Sequence, residues 1–102
     1  MKQKYILTDE TTVFNGFILH RIKAVRDFGS IREGDLGGFV WSEHNLSHKG
    51  NAWVFGNAKV FENAQVCDNA IVYDNAIVFD EAKVCDDALI YGNAEIYHNA
   101  KI

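Results

Sequence analysis

Residues 51–102 read NAWVFG NAKVFE NAQVCD NAIVYD NAIVFD EAKVCD DALIYG NAEIYH NAKI. Alanine stands at 52, 58, 64, 70, 76, 82, 88, 94 and 100. Two places after each comes Val54, Val60, Val66, Val72, Val78, Val84, Ile90, Ile96 or Ile102. Nine units match without a gap, and self-similarity at a fixed period marks a repeat architecture. No helical period generates a strict six. A period of six does hold whole strand alternations, so the Ala-x-Val pair faces one way in every unit. Between the strands stand Gly56-Asn57, Glu62-Asn63, Asp68-Asn69, Asp74-Asn75 and Gly92-Asn93. These residue types tolerate a left-handed backbone. Each unit is therefore a short strand followed by a tight bend.

The pattern [Ile/Val]-x-x-x-Ala-x resembles the hexapeptide repeat of left-handed parallel β-helices. In that family three hexapeptides make one triangular coil. The resemblance implies an all-β fold: a left-handed, three-sided parallel β-helix with 18 residues per coil and just under three coils in residues 51–102. The outward residues test that coil length. The position after Val/Ile sorts into columns at spacing 18: Phe55, Tyr73 and Tyr91; Phe61, Phe79 and Tyr97; Cys67 and Cys85. Coils stacked about 4.8 Å apart place like residues in ladders, which explains the sorting.

The residue between Ala and Val also points outward. Its columns are Trp53, Ile71, Leu89; Lys59, Ile77, Glu95; and Gln65, Lys83, Lys101. One face thus carries Trp53, Phe55, Ile71, Tyr73, Leu89 and Tyr91, a large apolar patch that calls for a cover. The N-terminal segment, a second copy or a foreign protein are the three candidates. The face with Phe61, Phe79, Ile77 and Tyr97 is the reserve contact surface. The last rung has no polar cap, and an open coil end exposes unpaired backbone groups. The expectation is that another subunit covers that end, or that the chain is cut from a longer array.

Residues 1–50 read as a β cap and an irregular first coil, and residues 51–102 as the repeat domain. Val13-Phe14-Asn15-Gly16-Phe17-Ile18 marks a hairpin, since Asn-Gly favours a type I′ turn. Strands are expected near Lys4–Leu7, Thr11–Phe14 and Phe17–Val25. Asp35-Leu-Gly-Gly38 reads as a bend with positive φ. Val40, Leu46 and Ala52 are again six apart, which suggests a first coil over Phe39–His48. The stretch RIKAVRDFGSIREGDLGGFVWSEHNLS resembles the lead-in of uncharacterised bacterial and phage hexapeptide-repeat proteins, some labelled putative transferases.

In 102 residues, ten basic and fourteen acidic side chains give a net charge of −4, which argues against direct nucleic-acid binding. The acids concentrate in the repeat half, eight against three bases. Glu62, Asp68, Asp74, Asp80, Glu81, Asp86 and Asp87 fall at the bends, as acidic ridges along the corners. Such ridges keep apolar faces soluble, and mimicry of a phosphate backbone is the functional alternative. Calcium needs converging oxygens and a glycine-rich loop, and neither is visible, so no metal is expected. Cys67 and Cys85 lie within reach of a disulfide by distance, but in-register stacking seldom provides the side-chain geometry, and a cytoplasmic chain is normally reduced. The opening residues hold no apolar run long enough for a signal peptide or membrane span, so a cytoplasmic location is the default.

The resemblance also implies acyl transfer as the commonest activity, with a histidine base near a trimer interface. His20, His44, His48 and His98 match no motif of that family, so no catalytic residue carries over and no cofactor is assigned. The reading is a non-enzymatic binding and assembly protein: a homo-oligomer, dimer or trimer, or a phage-type inhibitor docking on a host protein. A minimal or degenerate hexapeptide-repeat acyltransferase is the alternative.

Overall fold

The computed structural model describes residues 3–102. Three longer strands come first: β1 (Tyr5–Phe14), β2 (Phe17–Ala24) and β3 (Leu36–Val40). Eight strands of two residues follow at intervals of six. They are β4 (Trp53–Val54), β5 (Lys59–Val60), β6 (Gln65–Val66), β7 (Ile71–Val72), β8 (Ile77–Val78), β9 (Lys83–Val84), β10 (Leu89–Ile90) and β11 (Glu95–Ile96). Each pairs in parallel with the strand eighteen residues on: β4 with β7 and β7 with β10, β5 with β8 and β8 with β11, β6 with β9. The result is a three-sided parallel β-solenoid of just under three coils, as the repeat implied.

The side-chain columns stand where the sequence placed them. Tyr73 stacks on Tyr91 at 5.4 Å and 18°. Phe61 stacks on Phe79 at 5.4 Å and 6°, and Phe79 on Tyr97 at 5.4 Å and 18°. Inside the column, Ala52 to Ala82 and Val54 to Val84 are fully buried at every sixth position. Burial fades in the last coil: Ala88, Ala94, Ala100 and Ile96 are half-buried and Ile102 is exposed.

The corners share one conformation. Gly56, Glu62, Asp68, Asp74, Asp80, Asp86, Gly92 and His98 all have φ between 56° and 64°. A side chain in this region is costly unless it finds local compensation, and Asp does so with its short carboxylate. Asp68 Oδ2 accepts from the Asp86 amide at 3.0 Å, Asp74 Oδ2 from Gly92 at 3.1 Å, and Asp80 Oδ2 from His98 at 3.0 Å. Each carboxylate thus ties its own corner to the corner one coil on.

The lead-in joins the solenoid by continuing its second face. The six-stranded sheet runs β1-β2-β3-β5-β8-β11. β1 and β2 form the expected hairpin, with Asn15 and Gly16 at φ 51° and 83°. β3 pairs antiparallel with β2 and parallel with β5, so it converts hairpin into solenoid. Two sequence expectations need correction here. Gly37 and Gly38 lie in β3, not in a positive-φ bend; a Cβ on them would sit 2.5 Å from Val54 O and 2.7 Å from Ala58 O. Close backbone approach, not a left-handed turn, demands glycine there. The first coil is also longer than inferred. Val40 pairs with Val60 and Leu46 with Val66, both twenty residues apart, so Ala52 does not continue their spacing. The surplus lies between Leu46 and Trp53, where Gly50, at φ 70°, passes so close to Asp68 O that a Cβ would be 2.5 Å away.

The corner geometry predicts that Asp74→Val destabilises the fold by roughly 2 kcal/mol, from a β-branched side chain at positive φ plus the lost bond to Gly92. Asp74→Asn, which tolerates that backbone and keeps an acceptor, should cost less than about 1 kcal/mol. Denaturant melts of both variants make the comparison.

Candidate functional site

The cap removes two residues from the expected contact surface. Trp53 is fully buried, with Phe28 edge-on at 5.3 Å and Tyr5 at 6.2 Å. Phe61 is fully buried under Phe14 at 5.7 Å and Phe17 at 5.3 Å. Both begin their columns in the repeat, and the cap's aromatic side chains lie against that first rung. Of the three candidate covers for the Trp53 face, the N-terminal segment is the one that reaches it, and it covers only the first rung; its reach to Phe61 on the second face was not foreseen.

The rest of both columns grows more exposed with distance from the cap. Phe55, Ile71, Tyr73, Ile77 and Phe79 are half-buried. Leu89 and Tyr91 are 57% exposed and Tyr97 is 44% exposed. Beside Ile71 the corner column is Gly56, Asp74, Gly92, so two of its three corners carry no side chain. This opens a shallow groove of about 820 Å³, floored by Phe55, Ile71 and Tyr73 and edged by Asn57, Asn75 and Asn93.

The acidic residues are divided among the three corners. Glu62, Asp80 and Glu81 lie along one corner, Asp68, Asp86 and Asp87 along another, and Asp74 stands alone on the third. The carboxylates of Asp68, Asp74 and Asp80 each accept a backbone bond. Cys67 and Cys85 form a disulfide across adjacent coils, Cα to Cα 4.7 Å, which corrects the expectation of reduced thiols. The in-register columns bring the two α-carbons within the range that a disulfide spans. Their sulfurs lie within 4.8 Å of an Asp68 carboxylate oxygen, but the disulfide leaves no thiolate for a metal.

The histidines of the lead-in are hydrogen-bonded. His44 Nδ1 meets Ser42 Oγ at 2.5 Å and its Nε2 meets Glu62 O at 2.6 Å. His48 Nδ1 accepts from the Lys4 amide at 3.0 Å, and its Nε2 meets Glu43 Oε1 at 2.9 Å. His20 Nδ1 meets Thr8 O at 3.0 Å on the hairpin, and His98 is exposed at a corner, its Nδ1 3.4 Å from Asp80.

Sequence reasoning also missed the polar clasp that seats the cap. Lys4 Nζ donates to Ala52 O at 2.8 Å and lies 4.8 Å from the centroid of Phe28. Tyr5 stacks on His48 at 4.2 Å and its hydroxyl donates toward Leu46 O at 2.6 Å. Asn45, fully buried, accepts from the Trp41 and Ser42 amides and donates to Ala64 O at 2.8 Å and Glu62 O at 3.1 Å. Long-range contacts between single residues carry no periodic signal, so no pattern announced them.

Burial, then the nearby Arg26 charge, pushes the Lys4 ammonium from 10.5 down to about 8. Between those pH values the unfolded chain binds more protons than the folded one, so stability rises with pH. Burial, and then Glu43, pushes the Tyr5 hydroxyl above its ordinary 10.0, so its opposing effect begins only above that pH. The melting temperature should therefore climb by several degrees from pH 8 to 10, and Lys4→Met should flatten the climb. Thermal melts across that range read it directly.

Residues 64–80 match the family model of the YdcK beta solenoid repeat. The matched span holds β6, β7 and β8, just under one coil. No curated protein matches the chain. Among the described residues no helix is long and apolar enough to cross a membrane. By this match and by its coils, the chain is a β-solenoid repeat protein, similar over residues 64–80 to the YdcK repeat.

Proposed function

We propose that the chain is a non-enzymatic binding and assembly module whose contact surface is the aromatic end of its solenoid. The asymmetry of the two aromatic columns carries this reading. At one end Trp53 and Phe61 are fully sealed by the cap; at the other Leu89, Tyr91 and Tyr97 are about half exposed. Half-exposed flat rings and aliphatic side chains favour association, because a partner laid on them removes apolar surface from water. The shallow groove along Phe55, Ile71 and Tyr73 extends the same surface.

The occupant we favour is a second copy. It carries the same flat ring faces, and a twofold contact brings a self-complementary patch against itself. A foreign protein on the same surface is the other occupant, and its narrow form is a phage-type inhibitor docked on a host protein.

Light scattering over a range of concentrations tests the assembly. Self-association should give a mass above the 11.5 kDa of one chain. Leu89→Asp with Tyr91→Asp should weaken it by about 3 kcal/mol or more while the circular dichroism stays unchanged. A mass of one chain at every concentration overturns the second copy as occupant.

A further inference from the structure

The position after each buried valine forms one outward column on each side of the solenoid. On the first two sides that column is a stack of rings, Tyr73 on Tyr91 and Phe61 on Phe79 on Tyr97, with centroids 5.4 Å apart. On the third side the column is Ser47, Cys67, Cys85, placed by amide bonds to Val66, Val84 and Ile102. No ring is available there, and the Cys67–Cys85 disulfide takes the place of stacking. The third sheet is also the smallest, with β6 and β9 as its only named strands.

We propose that this disulfide is a redox-responsive clasp on the last coil, and so on the contact surface that the coil bears. Cys85 immediately precedes Asp86, the corner from which the last coil departs. Cys67 immediately precedes Asp68, whose carboxylate holds the Asp86 amide at 3.0 Å. Two adjacent residue pairs therefore pin the start of the last coil to the coil beneath, one covalently and one by a hydrogen bond. Downstream lie Leu89, Tyr91 and Tyr97, in the coil with the least burial of its own. Both cysteines are only half-buried, so a small thiol reaches them. A dithiol reductant attacks one sulfur, breaks the Cys67–Cys85 bond and forms a mixed disulfide; its second thiol then displaces the remaining cysteine. Two electrons pass from the reductant to the two cysteine sulfurs, which leave as thiols carrying two protons, and the reductant leaves as its own disulfide. The third side then keeps its ladder bonds, the Asp68 contact and the bond from Asn69 Nδ2 to Asp87 Oδ1 at 3.4 Å, and the last coil loosens first, since openings begin where burial is poorest.

The binding consequence rests on the assembly reading above; the loosening does not. Hydrogen exchange, followed by mass spectrometry with and without a dithiol, measures the loosening. Reduction should release two thiols per chain and speed exchange in residues 86–102 roughly tenfold, with residues 53–66 unchanged. Cys67→Ser with Cys85→Ser should exchange like the reduced protein whether or not reductant is present. Thiols already free before reduction, or equal exchange in both states, overturn the clasp. Light scattering of the same samples reads the consequence: association should weaken on reduction in the native protein and be insensitive to redox in the double variant. Association equal in both states, beside a last coil that has loosened, overturns the control of binding while leaving the clasp in place.

Discussion

Each repeat strand is only two residues long, far too short to persist alone. What holds it is the parallel ladder to the strand eighteen residues away, together with the buried Ala and Val beneath. That ladder closes only if the chain turns by the same amount at every sixth residue. The left-handed backbone at Glu62, Asp68, Asp74, Asp80 and their equivalents provides the turn. Register, columns, core and corners all follow from that repeated bend. A single altered corner would shift every later side chain to a different place around the column.

The cap solves a problem that the repeat creates. A parallel coil ends in unpaired backbone and exposed aromatic rings, both of which invite association. At the N-terminal side β3 pairs antiparallel with the hairpin and parallel with the solenoid, so the ladder passes into a sheet instead of stopping. Phe14, Phe17, Phe28 and Tyr5 then cover the first rings. Around them Lys4, Asn45 and His48 satisfy carbonyls and amides that docking takes out of water. Polar groups buried with partners hold the cap in one position, because any shift leaves several of them unpaired. The far side has no such arrangement among the described residues, and the same ring columns emerge there half exposed.

The repeat was legible because its signal is periodic: one misread position changes nothing when eight others agree. The hairpin at Asn15-Gly16 was legible because its turn needs those residue types locally. The errors fell where a residue's role depends on something distant. Gly37 and Gly38 looked like a bend, yet they answer to the carbonyls of Val54 and Ala58. The first coil looked like six-residue spacing, yet it runs two residues long between Leu46 and Trp53. The candidate surface was partly legible. Its columns were read correctly and cover by the N-terminal segment was among the candidates, but that the cap stops at Trp53 on one face and takes Phe61 on the other was not legible.

From residues alone came the six-residue strand and bend, the outward columns and the acidic corners, since each follows from local backbone preference repeated at a constant interval; the resemblance to hexapeptide repeats implied the three-sided coil of eighteen residues. Folding in three dimensions decided which outward residues remain outward, that the two cysteines join, and that the histidines of the lead-in are spent on hydrogen bonds. Those outcomes depend on contacts between segments tens of residues apart. Local preference does not encode such distances, and only the packed chain brings them within reach.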